Sequence, residues 1–134
     1  MRKFYLFKIK DEYLKYGPYN LYKAIDNIYH LKENDYKYGI NYFNHLRAKF
    51  NKEILNNNIF NYYKDKYNYT KVNNAHYIND YYTNENTKLT IYNNFLLIET
   101  NKPNPLFFEI FKKSNNIFVV DFNNRDYFWL NDYK

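Results

Sequence analysis

The stretch Ile117-Phe118-Val119-Val120-Asp121-Phe122 places five apolar side chains in six consecutive positions. A short apolar run without polar alternation is typical of a strand that is buried on both faces. Such a strand lies between two layers of other elements, so this stretch predicts a β-sheet with helices packed on it.

The residues upstream of this run predict a helix and a β-hairpin. Asn104-Pro105 suits the start of a helix, because a capping residue followed by proline fits the first turn. Before it, Lys88–Tyr92 and Phe95–Thr100 flank Asn93-Asn94, and asparagine tolerates the left-handed backbone of a two-residue turn. We therefore expect a hairpin, a helix and a strand in that order.

The N-terminal residues predict a strand followed by a helix. Phe4–Lys10 is short, aromatic and lysine-bearing, which favours a strand with one wetter face. The chain then breaks at Gly17-Pro18. Asn20 is the predicted N-cap of a first helix that ends near His30 to Glu33.

The middle of the chain predicts one or two further helices and a loop. Apolar side chains recur at helical spacing over residues 43–54, which favours a second helix. Asn56-Asn57-Asn58 is expected to end that helix and to cap a shorter third segment over residues 59–67. Residues 68–86 are polar and tyrosine-rich without a clear period, so we expect a loop there.

Together these elements give the order β-α-α-(α)-β-β-α-β over a single domain of residues 1–134. The order is typical of the α/β (α+β) class, in which helices pack on a small mixed β-sheet. A chain of 134 residues, 46% hydrophobic and 24% aromatic, can bury a core of its own. The aromatic content also argues against an intrinsically disordered protein.

The net charge of +6 is a weak indicator of a polyanionic partner. Lysine rather than arginine carries it, 17 residues against 3, and Asn, Tyr, Lys, Phe and Ile make up 84 of the 134 residues. All five residue types have AT-rich codons, so an AT-rich genome would produce the same bias without any selection for charge.

Three features bear on the compartment. The chain has no cysteine, which excludes disulfides and thiolate metal sites. No stretch approaches the ~20 apolar residues that span a bilayer. The apolar residues that follow Met1 are interrupted at Lys8 and Lys10, unlike the core of a signal peptide. We expect a cytoplasmic protein.

The inventory of reactive side chains predicts a protein that is not an enzyme. His30, His45 and His76 have no ligand partners at metal spacing, and helix-end or surface positions are the expected ones for them. The single serine, Ser114, lacks a glycine-flanked elbow. Asp121, at a strand end, is the best carboxylate candidate, but such a residue more often caps a turn or pairs with arginine. No metal and no cofactor are expected.

Tyrosine and lysine together raise nucleic-acid binding as an alternative function. Segments such as Tyr62-Tyr63-Lys64-Asp65-Lys66-Tyr67 could offer stacking rings above a basic groove. Acidic residues are mixed through the same segments, and no known aromatic binding motif or basic recognition helix is present. The alternative is therefore the weaker hypothesis.

Tyr13, Tyr16 and Tyr19 form a separate group around the break at Gly17-Pro18. Tyrosine is common among interface anchors, because it combines a large rigid surface with one polar group. The same residues could instead cover the end of the core. The residues alone leave both interpretations open.

Two parts of the sequence resemble the sporulation inhibitor of replication family, SirA. The C-terminal part consists of Phe107-Phe108-Glu109-Ile110, Lys112-Lys113, Asp121-Phe122-Asn123 and Tyr127-Phe128-Trp129-Leu130-Asn131. The N-terminal part is an aromatic strand that leads into Ile9-Lys10-Asp11-Glu12-Tyr13 and then a helix ending at Tyr29-His30.

This resemblance implies a non-enzymatic regulator that binds domain I of the replication initiator DnaA and occludes it. Tyr13 and Tyr16 correspond to aromatic positions in the region by which the family meets DnaA. Ile40 and Asn41, at the start of the second predicted helix, are expected to contribute. We expect a cytoplasmic monomer that forms a one-to-one complex, without a cofactor and without contacts to membranes or nucleic acid.

The closing motif has a structural interpretation instead. Phe122, Tyr127 and Trp129 are expected to pack against the last helix and the hairpin. Asp121, together with Asn123, is expected to satisfy the turn between them. An exposed Trp129 beside Tyr127 would instead move the interface to the C-terminus.

Overall fold

The computed structural model describes residues 1–30 and 45–132. Its strands are β1 (Arg2–Ile9), β2 (Arg47–Ala48), β3 (Tyr69–Val72), β4 (Ala75–Asp80), β5 (Glu85–Ile91), β6 (Leu96–Thr100), β7 (Ile117–Asp121) and β8 (Asp126–Trp129). Its α-helices are α1 (Gly17–Tyr29), α2 (Lys52–Tyr63) and α3 (Phe108–Phe111), and short 3-10 helices lie at Asp11–Tyr16 (η1) and Leu130–Asp132 (η2). The predicted α+β class is confirmed.

The strands form one antiparallel sheet in the order β3-β4-β5-β6-β1-β7-β8. The central strand is β1, which pairs with β6 along one edge and with β7 along the other. The short β2 continues the β6 side, where Lys8 and Ile9 pair with Ala48 and Arg47. The predicted buried strand is β7, and all five of its residues are buried.

Alternation along β1 separates two apolar clusters on the two faces of the sheet. Phe4 and Leu6 belong to the cluster that α2 and α3 cover. Phe7 and Ile9 belong to the cluster that α1 covers. The central strands therefore have helices on both sides, as the apolar run in β7 predicted.

The first helix ends at Tyr29, in agreement with the sequence, but it begins earlier than predicted. It begins at Gly17, with Pro18 in its first turn, so the prediction of Asn20 as the N-cap is wrong. Asn20 lies inside the helix, and its side-chain amide donates a hydrogen bond to the Tyr16 carbonyl at 2.8 Å.

The second predicted helix, over residues 43–54, is interrupted in its described part. His45 and Leu46 are helical, but Arg47–Ala48 is a strand, and helix α2 begins at Lys52. Asn51 is its N-cap, because its side-chain oxygen accepts a hydrogen bond from the Ile54 amide at 3.1 Å. The three asparagines at 56–58 do not end the helix, which runs through them to Tyr63.

The loop predicted over residues 68–86 is also wrong. These residues form β3, β4 and the start of β5. Their inward-facing side chains include Tyr69 and His76, which are buried and hydrogen-bonded to each other. A polar side chain buried in this way gives no hydrophobic alternation, so the strands were not visible in the sequence pattern.

The hairpin of β5 and β6 is confirmed, and β8 is an additional strand. The last helix begins at Phe108 rather than at Asn104-Pro105, after a turn in which the Phe108 amide donates to the Pro105 carbonyl at 3.0 Å. The order β-α-α-(α)-β-β-α-β therefore lacked β2, β3, β4 and β8.

The expected packing of the closing motif is wrong in its direction. Phe122, Tyr127 and Trp129 pack into the cluster under α1. It is Phe128 that packs toward the last helix, where its ring lies 6.2 Å from that of Phe108. The pairing of β8 with β7 explains this, because neighbouring residues of a strand point to opposite faces.

Candidate partner-binding surface

The chain leaves β1 through a backbone that is hydrogen-bonded on both sides. The Ile9 amide donates to the Asn116 carbonyl at 2.9 Å, and the Lys10 amide donates to the Leu46 carbonyl at 3.1 Å. The Asn116 side chain also donates to Asp11, the first residue of η1. These bonds fix the position from which η1 projects.

Every residue of η1 is at least partly exposed. Leu14 and Tyr16 are 36% and 46% exposed, and Tyr19, in the first turn of α1, is 58% exposed. Tyr13 is half-buried, because it packs against the cluster under α1. We call Tyr13, Leu14, Tyr16 and Tyr19 the N-terminal aromatic surface.

The two tyrosines singled out by the sequence, Tyr13 and Tyr16, lie side by side. Their ring centroids are 5.6 Å apart, with the planes tilted by 31°. The Lys15 ammonium lies 5.7 Å from the centre of the Tyr16 ring. The Tyr13 ring thus packs against the core, and the Tyr16 ring extends into solvent beside the Lys15 ammonium.

The junction between η1 and α1 holds this arrangement in place. Gly17 has a φ of +77°, a conformation that side-chain-bearing residues rarely adopt, and its amide donates to the Leu14 carbonyl. The Asn20 bond to the Tyr16 carbonyl closes the junction from the helix side. Tyr16 and Tyr19 are therefore presented by a constrained backbone rather than by a free loop.

A cavity of about 330 Å³ lies beside this surface. Leu14 forms one wall, Trp129 another, and Asp11 and Asp132 stand at its polar side. Trp129 is half-buried, and its ring packs edge-on against Phe118 at 5.0 Å. Sequence reasoning missed both Leu14 and this cavity, because Trp129 and Leu14 line the same cavity only after β8 has paired with β7.

The remaining predicted contact residues cannot be placed beside this surface. Ile40 and Asn41 lie outside the described residues. Within residues 1–30 and 45–132, the surface consists of residues of η1 and of the first turn of α1.

The tyrosine- and lysine-rich segment of the nucleic-acid alternative does not form a continuous platform. Tyr63 is fully buried, whereas Tyr62 and Tyr67 are 47% and 75% exposed. Burial raises the pKa of the Tyr63 phenol well above its ordinary value, with nearby Tyr62 and acidic residues adding to the effect. In this segment, one ring of three thus belongs to the core.

The carboxylate and histidine candidates have structural environments. Asp121 is buried and accepts hydrogen bonds from Arg2 at 3.0 Å and from the Asn124 side chain at 2.6 Å. Burial alone would raise the pKa of this carboxyl, but the bonds from Asn124 and Arg2 together hold the pKa below its ordinary value. The expected pairing of Asp121 with arginine is confirmed, and Asn124 rather than Asn123 is its partner in the turn.

A helix-end or surface position was expected for His76 from the sequence, and this prediction is wrong because His76 is completely buried. Burial, together with the charge of Lys71, lowers the pKa of its imidazole to about 4. His30 is exposed at the end of α1 and lies 3.2 Å from Asp26. The described ranges hold no group of three or more His, Cys, Asp or Glu side chains placed to bind a metal ion.

A family model described as sporulation inhibitor of replication protein SirA matches residues 2–134, which is essentially the whole chain. None of the curated proteins matches. Within residues 1–30 and 45–132, no helix combines the length and apolar content needed to cross a bilayer.

Proposed function

The chain belongs to the SirA family of sporulation inhibitors of replication, and we propose that it inhibits by binding domain I of the initiator DnaA through the N-terminal aromatic surface. The observation that carries this proposal is the pair of adjacent rings of Tyr13 and Tyr16, held on a constrained turn and open to solvent on one side.

The geometry suits an aromatic anchor. Binding energy in protein interfaces is concentrated in a few aromatic residues that become fully desolvated. Tyr16 has exposed surface left to bury, and Tyr13 supports it from the core side. Because the backbone at Gly17 is already fixed, little conformational freedom is lost on association.

Lys15 lies at the rim of this surface, above the Tyr16 ring. A rim charge acts mainly on the rate of encounter and on its salt dependence, whereas a buried ring acts on dissociation. We therefore expect the complex to persist at high salt, although it would form more slowly.

The proposed mechanism is occlusion and requires no catalytic group. A protein bound to domain I would prevent that domain from associating with itself or with helper proteins. Inhibition would be stoichiometric, with one monomer for each DnaA domain I, and would take place in the cytoplasm. The family is one of replication inhibitors rather than of enzymes.

The test is calorimetric titration of this protein with DnaA domain I at low and at high salt. We expect saturable one-to-one binding that survives high salt. Tyr16→Ala is expected to weaken binding by about 2 kcal/mol, roughly 30-fold, because it removes an exposed anchor. Tyr13→Ala is expected to weaken it by at least as much, with the fold checked by circular dichroism.

Tyr81→Ala is the matched control. Tyr81 is 90% exposed and lies in the turn between β4 and β5, so the same substitution there should leave binding unchanged. Equal losses in Tyr16→Ala and Tyr81→Ala would contradict the proposed surface. Absence of heat with a folded domain I would contradict the proposed partner. Steeply salt-dependent binding to single-stranded DNA would then favour the nucleic-acid alternative.

A further inference from the structure

The turn between β7 and β8 contains a residue with an unfavourable backbone conformation. Among the described residues, the side-chain-bearing positions with positive φ are Asn73, Asn84, Asn116 and Arg125. Asparagine is the non-glycine residue that best tolerates this conformation. Arg125, with a φ of 53°, is therefore the exception among the four.

Composition makes the exception informative. The chain has 25 asparagines and only 3 arginines, and two asparagines directly precede Arg125. Asparagine at position 125 would relieve strain that arginine retains. Strain of this kind persists where a side chain has a task that the surrounding structure enforces. Here the β7–β8 pairing and the bonds between Asp121 and Asn124 enforce the turn.

Arg125 lines a cavity between this turn and α1. The cavity has a volume of about 450 Å³ and is lined by Tyr22, Lys23, Asp26, His30, Phe122 and Arg125. This volume lies within the usual range of small-ligand sites. It lies along α1, and none of its lining residues belongs to the N-terminal aromatic surface.

The charges that line the cavity are mainly positive. Lys23 and Arg125 are cations on two different elements, and neither forms an ion pair with any residue in the described ranges. Asp26 is the one acidic lining residue, and its oxygen lies 3.2 Å from His30 Nε2. The carboxylate thus contacts a histidine at the end of its own helix, and neither cation has a carboxylate partner among the described residues.

The other walls of the cavity are rigid. Phe122 is stacked on Tyr29 with ring centroids 3.9 Å apart and planes within 7°. Tyr22 is stacked on Tyr127 at 4.5 Å. Burial, followed by the charge of Asp26, raises the pKa of the Tyr22 phenol, against the lowering effect of Arg125. The protonated hydroxyl can donate a hydrogen bond to an acceptor.

We propose that this cavity binds the oxyanion of a small ligand, a phosphate or a carboxylate group, between Arg125 and Lys23. The planar guanidinium offers paired donors to such a group, and Lys23 adds a point charge from α1. Such a ligand would connect α1 to the β7–β8 turn. The inference is independent of the DnaA proposal, because it uses none of the same residues.

The test is an NMR titration of the ¹⁵N-labelled protein with pyrophosphate and, separately, with citrate. We expect saturable shifts at the amides of Lys23, Asp26 and Arg125 with at least one of them. A response to pyrophosphate alone assigns the site to phosphates, and a response to citrate alone assigns it to carboxylates. Absence of saturable shifts with both ligands would overturn the proposal.

Arg125→Asn is the decisive variant, because it removes the guanidinium and also relieves the strained backbone. We expect the ligand affinity to fall at least tenfold, while the melting temperature stays constant or rises. Lys64→Asn, after α2 on the other face of the sheet, makes the same change in charge and should leave the affinity unchanged. Equal affinity in Arg125→Asn and the wild type would also overturn the proposal.

Discussion

The sheet has two halves that are held together by different chemistry. Around β1 and β7 most buried side chains are apolar, with Asp121 at the end of β7 as an exception, and Phe118, Val119 and Val120 are completely buried in succession. In β3, β4 and β5 the buried positions include Tyr69, His76, Glu85 and Thr87. We refer to these as the apolar half and the polar half.

A chain of hydrogen bonds runs through the polar half. The Tyr69 hydroxyl lies 2.6 Å from His76 Nδ1, and His76 Nε2 lies 2.7 Å from the Asn56 side-chain oxygen. The Asn56 amide donates in turn to Asn74 at 3.0 Å. Since Asn56 Oδ1 can only accept, His76 must carry its proton on Nε2, and Tyr69 must donate to Nδ1. A neutral imidazole satisfies every member of this chain.

A second polar group anchors the loop before α3 to the same half. One Glu85 carboxylate oxygen accepts from the Thr87 hydroxyl at 2.7 Å and from the Leu106 amide at 3.0 Å. The Thr87 hydroxyl also contacts that of Thr100 at 2.7 Å. The comparison indicates that the stability of the apolar half depends on how well its side chains fill the available volume. The stability of the polar half depends on each buried donor forming a hydrogen bond with an acceptor.

The largest expected effect is a cavity in the apolar half. Phe118 is fully buried, and its ring contacts those of Tyr127 and Trp129. Phe118→Ala is expected to lower the free energy of unfolding by about 3–5 kcal/mol, because the lost volume cannot be refilled. Urea denaturation followed by circular dichroism measures the change. If Phe118→Ala lowers the free energy of unfolding by less than a substitution of an exposed residue such as Tyr82→Ala, β7 is not the core strand.

The next largest expected effect is a pH dependence of the free energy of unfolding that arises in the polar half. The imidazole of His76 has a pKa of about 4 in the folded protein and 6.5 as the reference value, so folding favours the neutral form. Its contribution to stability is complete above pH 6.5 and is lost as the pH falls toward 4. We expect the free energy of unfolding to decrease by about 2 kcal/mol between pH 7.5 and pH 5 from this group.

Urea denaturation at both pH values checks this expectation. His76→Gln lacks the titrating group but can still donate toward Asn56, so its stability should change less over the same interval. Equal pH dependence in the two proteins would contradict the expectation. So would NMR signals that show a charged His76 imidazole at pH 5 in the folded protein.

The same contrast explains which parts of the fold could be predicted from the sequence. Strand β7 was predicted because the apolar side chains at 117–120 are expected to be buried whatever elements surround them, and all of them are buried in the structure. Asn56 was expected to end a helix, since asparagine favours helix ends. It lies inside α2 because its side-chain amide forms hydrogen bonds with His76 and Asn74, which are 20 and 18 residues away in the sequence.

The candidate site divides in a similar way. Tyr13 and Tyr16 were singled out by the resemblance and by their position at the end of a strand, and both are local to η1. Leu14 and Trp129 line the same cavity only because β8 pairs with β7. Arg125 carried no signal in the sequence, because its significance lies in a backbone angle.

The smallest expected effect isolates one bond of the polar half. Tyr69→Phe removes the hydroxyl that donates to His76 Nδ1 and leaves a buried acceptor without a partner. We expect a loss of about 1–2 kcal/mol in the free energy of unfolding at pH 7.5. Tyr67→Phe is the matched control: that side chain is 75% exposed and its hydroxyl lies 3.5 Å from Asp80. Because water can replace this long contact, the control should change the stability by less than about 0.5 kcal/mol. If both variants lose equally little, the polar half is held by packing alone, and the difference between the two halves is one of sequence pattern rather than of energetics.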